Sequence, residues 1–290
     1  MLKILKLLLQ HPLNAKGRTA ALTRFLRWQI GVRLLPVPHL MPFVGDTCLV
    51  MERGMTGATG NWYCGLHEAS DMAFVLHVLR DGDLFVDIGA NVGSYTVLAS
   101  GAVGARSIAF EPVPETYAML TRNLSANRIT DLVVAHNLGL GARNEKLRFT
   151  AGHDTTNHVV IGTTDTPTLE VTVRRLDEML DSEVPRVIKL DVEGWEGEVL
   201  KGMSATLANP ALAAVVCETN ESAGRYTDVD GEYVEQVMRM HGFAAHSYNP
   251  ENRELVRGGT GENTIFVRDY DFLCHRIATA PRFRLVNGTI

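Results

Sequence analysis

The chain has 290 residues, 46% of them apolar and 21% charged, with mean hydropathy near zero and a net charge of −5. These are the proportions of a soluble globular protein, long enough for one large α/β domain with an appendage or for two small domains. The four cysteines (Cys48, Cys64, Cys217 and Cys274) form no C-x-x-C pair, so neither a zinc site nor a disulfide framework is expected, and a reducing, cytoplasmic setting fits.

Charge is unevenly spread. Residues 1–45 hold seven basic residues and no acidic one, so with −5 for the whole chain the remainder carries −12. An acidic body argues against a nucleic-acid partner. The opening run MLKILKLLLQHPL is too short to span a bilayer, is interrupted by Lys6, and lacks an A-x-A cleavage site. It reads as an amphipathic helix, packed on the domain or on a second subunit, or resting on an anionic membrane at its inner face. Leu22 to Leu35 reads as a second basic helix, and the punctuation of Gly45, Gly54, Gly57 and Gly60 predicts short strands and turns over 43–67.

From Ser70 a helical spacing runs to Leu79, and an alternation of strands and helices follows. Strands are predicted at Leu84–Ile88, Ser107–Phe110, Leu132–His136, Val187–Leu190, Ala213–Cys217, Ala244–Tyr248 and Thr264–Val267, the last as an edge or antiparallel strand. Helices fill most gaps, at Gly93–Ser100, Pro114–Asn127, Glu196–Met203 and Tyr233–His241. This predicts an α/β fold with a doubly wound, mostly parallel sheet. Residues 145–173 read as a small antiparallel insertion, Arg174–Leu180 as a short helix, and 269–290 as a short helix and a poorly specified tail. The expected organisation is a basic helical extension over 1–45, a main domain over 46–270 and a C-terminal tail over 271–290.

The segment LFVDIGANVGSY, Leu84 to Tyr95, runs an apolar strand into Asp87, a glycine turn and a helix, as ligand-binding crevices of open α/β sheets require. Its spacing, Asp87 then Gly89-Ala90-Asn91-Val92-Gly93, departs from the dinucleotide pattern G-x-G-x-x-G and is closer to the D-x-G-x-x-x-G turn that binds S-adenosylmethionine. Asp87 suits a hydrogen bond either to the turn or to a ligand's ammonium. Glu111 closes the next strand, 22 residues after Gly89, where a carboxylate accepts from ribose hydroxyls or caps the following helix. In VIKLDVEGWEGEVLKG, Asp191 ends a strand on the crevice side and Glu193 follows. Two carboxylates there favour a cationic donor and orient a hydroxyl, although Glu193 equally suits a helix cap.

Together FVDIGANVGSYT, IAFEPVPETY, HNLGLG, VTVRRLDEML and IKLDVEGWEGEVLKG resemble the FkbM family of S-adenosylmethionine-dependent methyltransferases over roughly residues 60–270. The resemblance implies a class I, Rossmann-like methyltransferase fold and methyl transfer to an oxygen of a sugar, glycan or natural product. Carried over by residue, Asp87, Gly89, Asn91, Gly93 and Tyr95 match the donor turn, and Glu111 the ribose acid. Asn137 and Leu138 fall where the adenine edge is met, and Asp191 and Glu193 match the family acids. TGNWYCGLHE resembles the segment ahead of the first strand, which makes Tyr63, His67 and Glu68 candidates for the donor's tail or the acceptor.

A sugar hydroxyl needs help to lose its proton. His153, His158 and His246 are the histidines expected near the cleft mouth as bases. The alternative is Mg²⁺ held by Asp191, Glu218 and Asn220 at neighbouring strand ends, in an Mg-assisted O-methyltransferase of a non-sugar natural product. A nicotinamide-dependent sugar-modifying enzyme is opposed by the missing G-x-G-x-x-G, and a non-catalytic binding module by the retained turn, Glu111 and Asp191. The expected partners are a hydroxyl-bearing small molecule or glycan, with membrane contact or a homodimer through the basic helices.

Overall fold

The structure is a computed structural model that describes residues 2–150, 159–160, 166–219, 231–259, 261 and 263–290. Two helices, α1 (Leu2–Gln10) and α2 (Arg18–Leu34), lead into the hairpin of β1 (His39–Pro42) and β2 (Cys48–Met51). Then come α3 (Thr56–Cys64), α4 (Ala69–Val78), β3 (Leu84–Ile88) and a short α5 (Ser94–Thr96) that continues as a π-helical stretch over Val97–Val103. β4 (Arg106–Phe110), α6 (Pro114–Ala126), β5 (Val133–His136) and β6 (Gly139–Leu140) follow. β7 (Glu145–Thr150) and β8 (Thr168–Arg174) pair antiparallel and form, with β6, a separate three-stranded sheet. β9 (Val187–Leu190), α7 (Glu196–Lys201), α8 (Ser204–Ala208), β10 (Ala214–Glu218), α9 (Gly231–Met240), β11 (Ala244–Asn249), β12 (Glu254–Arg257) and β13 (Asn263–Val267) lead to α10 (Tyr270–Ala278). A closing hairpin pairs β14 (Arg284–Leu285) with β15 (Gly288–Thr289).

The central sheet has eight strands in the order β12-β11-β13-β10-β9-β3-β4-β5. β5, β4, β3, β9 and β10 run parallel, and β13 is antiparallel to both β10 and β11. This is the class I methyltransferase fold that the family resemblance implies. Its inner parallel strands β3, β9 and β10 are buried at every position, so they read as mostly apolar runs and not as alternating ones. Successive side chains still face opposite ways. Phe85, Val187, Val216 and Ile265 join the core that includes α4, whereas Val86, Ile188, Val215 and Phe266 join the core under α7 and α9. The order reverses between β3 and β9, which leaves a crevice over their carboxyl ends.

Two segments differ from the sequence-based expectation, and the basic extension follows one of its readings. Thr56–Cys64 is a helix, not strands and turns, despite two interior glycines. A Cβ on Gly60 would stand 2.2 Å from the His67 ring, so glycine lets that imidazole lie against the helix. The basic extension packs on the domain: Leu8, Ala21, Phe25, Trp28 and Val32 sit in the same core as Tyr63 and Phe74. The C-terminal tail is also ordered. Arg276 pairs with Asp83, and Arg284 donates to the Gly45 carbonyl at 2.8 Å. Among the described residues no helix is long and apolar enough to cross a membrane.

Candidate active site

The crevice is a cavity of about 280 Å³ at the switch point of the sheet. Its floor is the turn after β3. Gly89 takes φ +79, and a Cβ there would lie 1.8 Å from the Asp191 carbonyl oxygen, so only glycine lets the two strand ends approach. Asn91, at φ +51, is held by its own side chain, whose oxygen accepts from the Val92 amide at 2.7 Å. Asn123, fully buried on α6, donates to the Val92 carbonyl and accepts from the Val50 amide, tying the turn to β2.

Glu111 rises beside this turn from the end of β4. Its carboxylate accepts from the Asn91 and Val113 amides, both at 2.9 Å. Burial pushes its pKa up to about 7, against the pull of those two amides. Asp87 lies under the turn and accepts from the Thr96 hydroxyl at 2.5 Å, and burial pushes it up to about 6.

β9 supplies the opposite wall. Lys189 and Asp191 lie two residues apart, hence on one face, and the buried ammonium meets the Asp191 carboxylate at 2.9 Å. Burial alone would push this ammonium down, but Asp191, Glu68 and Asp71 outweigh it and hold it protonated. Lys189 also donates to the Asn263 side-chain oxygen at 3.2 Å, and the Asn263 amide donates to Asp71 at 2.9 Å and Glu68 at 3.3 Å. Tyr95 donates to Glu68, and its ring lies 5.4 Å from the Lys189 nitrogen. One buried network thus joins α5, β9, β13 and the start of α4.

Beyond Asp191 the chain turns through Glu193 at φ +56 and Gly194 at φ +99. Buried Glu196 holds this turn by accepting from the Val192 amide at 2.9 Å and the Gly194 amide at 3.3 Å. Carboxylate oxygens of Asp191, Glu193 and Glu218 lie within 4.8 Å of one another. Burial first, then the charges of Asp191 and Glu193, push Glu218 up to about 9. Glu68, Asp87, Glu111, Asp191, Glu193 and Glu218 all line the cavity, and Lys189 is the only lysine or arginine among the described lining residues. Such a lining favours a cationic ligand.

Of the residues expected from sequence, Glu68, Asp87, Gly89, Asn91, Tyr95, Glu111, Asp191, Glu193 and Glu218 meet here, as does His67. Gly93 supports from outside the cavity: at φ +88 it caps α5, and a Cβ would stand 2.5 Å from Leu120. Asn137 and Leu138 do not line the cavity. The Asn137 amide donates to the Glu111 and Pro112 carbonyls, and the cavity is met two residues later, by Gly139 and Leu140. Tyr63 is instead a core residue, its ring edge-on to Phe25 at 5.4 Å, because the basic extension covers that face of α3. His246 is also a correction. It is buried in β11, with Nδ1 against the Ala244 carbonyl and its ring beside Tyr270, away from the cavity lining. His153, His158 and Asn220 lie outside the described residues.

Sequence reasoning missed Lys189, Asn61, Asp71, Glu196 and Asn263. For Lys189 a signal existed: a lone cation inside an apolar strand, two residues before an acid.

The chain matches the Methyltransferase FkbM domain over residues 87–245, more than half its length. Its relatives include a hexuronic acid methyltransferase, AglP, of Haloferax volcanii, 33% identical over 48% of this chain and 58% of that protein. Methyltransferase 1 of Beauveria bassiana is 31% identical over 62% of this chain and 80% of that protein. The 31-O-demethyl-FK506 methyltransferase FkbM of Streptomyces tacrolimicus is 28% identical over 60% of this chain and 78% of that one. The chain thus spans little more than half the length of the first of these relatives.

Proposed function

Since the chain belongs to the FkbM methyltransferase family and is a methyltransferase, we propose that it uses S-adenosylmethionine to methylate a hydroxyl of a sugar, glycan or glycosylated metabolite. The observation that carries this reading is the cavity itself, with Glu111 above the Gly89 turn on one side and Asp191 and Glu193 on the other. S-Adenosylmethionine supplies an electrophilic methyl on a cationic sulfur. The residues present fit that donor. A glycine that tolerates no Cβ floors the crevice, a strand-end carboxylate stands where ribose hydroxyls are met, and the lining is acidic enough to favour a sulfonium.

For the acceptor, Asp191 and Glu193 orient the hydroxyl, and the three-carboxylate cluster with Glu218 receives its proton. Alignment inside the cavity accounts for much of the acceleration. Relatives named for a hexuronic acid and for 31-O-demethyl-FK506 support a sugar or natural-product hydroxyl. The lining distinguishes further. Lys189 is engaged by Asp191 and no arginine is among the described lining residues, so a neutral sugar fits better than a uronate.

A second reading is metal assistance. The Asp191, Glu193 and Glu218 oxygens are hard ligands at a spacing that suits a divalent cation, with Glu193 in the set expected to contain Asn220. Titration calorimetry with S-adenosylhomocysteine and with NAD tests the donor; binding of NAD alone overturns the proposal. Methyl transfer to neutral and uronic sugars tests the acceptor, and activity that survives a chelator removes the metal.

A further inference from the structure

α2 is apolar on two opposite sides. Ala21, Phe25, Trp28 and Val32 face the core, as expected of a packed helix. Leu26, Ile30 and Leu34 recur every four residues on the other side and are 57%, 59% and 74% exposed. At about 100° per residue these three form one stripe, with Arg27 and Arg33 roughly 60° to either side of Ile30. Both arginines are exposed. The stripe continues past the helix end through exposed Leu35, Val37 and Leu40. Six large apolar side chains exposed in a fifteen-residue stretch, Leu26 to Leu40, exceed the scattered exposure normal for a monomer.

Charge decides what covers this face. Residues 1–45 carry seven basic residues and no acid. A second copy meeting it across a two-fold axis would set Arg27 and Arg33 against their own equivalents, like charge on like. An anionic lipid surface complements the arginines and takes up the apolar stripe between them. The −12 carried by the rest of the chain is repelled by such a surface, so the extension alone faces it.

We propose that the outer face of α2, with the loop after it, is a docking surface for anionic membranes. It lies against the wall of the active site: Arg24 of the same helix donates to the Tyr63 carbonyl on α3, and α3 residues Thr56, Gly57, Ala58 and Asn61 line the cavity.

Co-sedimentation of the full chain with phosphatidylcholine vesicles, with or without roughly one-third phosphatidylglycerol, tests this. Pelleting is expected with the anionic vesicles only. Arg27→Glu with Arg33→Glu should lower binding by about tenfold or more, given about fivefold per charge at such a surface, and about 0.5 M salt should do the same. Ile30→Asp with Leu34→Asp should abolish it. These side chains are exposed, so an unchanged circular dichroism melt confirms that the variants fold. No pelleting, equal pelleting with neutral vesicles, or pelleting indifferent to these substitutions overturns the proposal. So does a dimer in light scattering that Ile30→Asp with Leu34→Asp converts to monomer.

Discussion

Lys189 on β9 and Asp191 just past its end stand two residues apart, and the Lys189 ammonium lies 2.9 Å from the Asp191 carboxylate while the rest of its stem is sealed in the sheet. A buried cation is costly unless paired, and here it faces Asp191, Glu68 and Asp71 at once. The pair fixes the direction of Asp191, the acid of the active-site cluster that follows β9 directly.

Lys189→Met should therefore weaken the protein and its chemistry together. It leaves Asp71 and Glu68 without their cation while Asp191 keeps some solvent, so the stability loss should be about 2–3 kcal/mol, below the upper range for severed buried pairs. Turnover should fall roughly a hundredfold, because Asp191 is no longer held in one orientation. Denaturant melts and steady-state rates check both. A variant as active as the parent means that Asp191 needs no such anchor.

Gly89→Ala should abolish donor binding. The added Cβ would meet the Asp191 carbonyl oxygen, part of the backbone, and alanine is strained at φ +79. A cost of about 3 kcal/mol or more follows, with displacement of the Asp191–Glu193 turn. Calorimetry with S-adenosylhomocysteine beside a denaturant melt separates lost binding from lost folding. Retained affinity in a folded variant would contradict the close approach.

How much of this was legible in the sequence follows from what each feature depends on. β3, β4 and β9 are short apolar runs ended by an acid and a glycine or proline, so strand, strand end and crevice side could all be read locally. The acids Asp87, Glu111, Asp191 and Glu193 were found for that reason. α3 was not, because Gly57 and Gly60 look like turn punctuation until the His67 ring is seen against them. Asn263 joins Glu68 across 195 positions and Asp71 across 192, partnerships that no spacing rule carries. Tyr63 was misplaced because the motif around it shows neither Phe25 nor the extension that buries it. β12, β14 and β15 are short strands outside the buried parallel core and lack its long apolar signature.

Stability of the ligand-free protein should fall as pH rises from about 6.5 to about 9. Glu111 and Glu218 have folded values of about 7 and about 9, raised by burial above the ordinary carboxylate range. The folded state then binds more protons than the unfolded one, so their contribution is fully present at low pH and is lost as pH climbs through those values. The expected loss is on the order of 2–3 kcal/mol. Below about 6.5 the trend is opposed by His77, which burial pushes down to about 4 and which must stay neutral to remain inside. Thermal melts across this range check the slope, and Glu218→Gln should flatten most of it. A melting temperature that rises over the same range contradicts the assignment.

Glu196 offers a test of geometry without a change in the cluster itself. Its carboxylate accepts from the amides on either side of Glu193, which is what holds that residue at φ +56. Glu196→Gln retains an acceptor oxygen and should stay within about threefold of the parent rate, whereas Glu196→Ala frees the turn and strands two amide donors, at a cost of about 1–3 kcal/mol. Because Glu111 and the Gly89 turn are untouched, KM for the donor should change little in either variant. The turnover number of the alanine variant should drop roughly a hundredfold, as expected when orienting groups shift by an ångström. A rise in donor KM with unchanged turnover would place the Glu193 turn on the donor side of the cavity instead of the acceptor side.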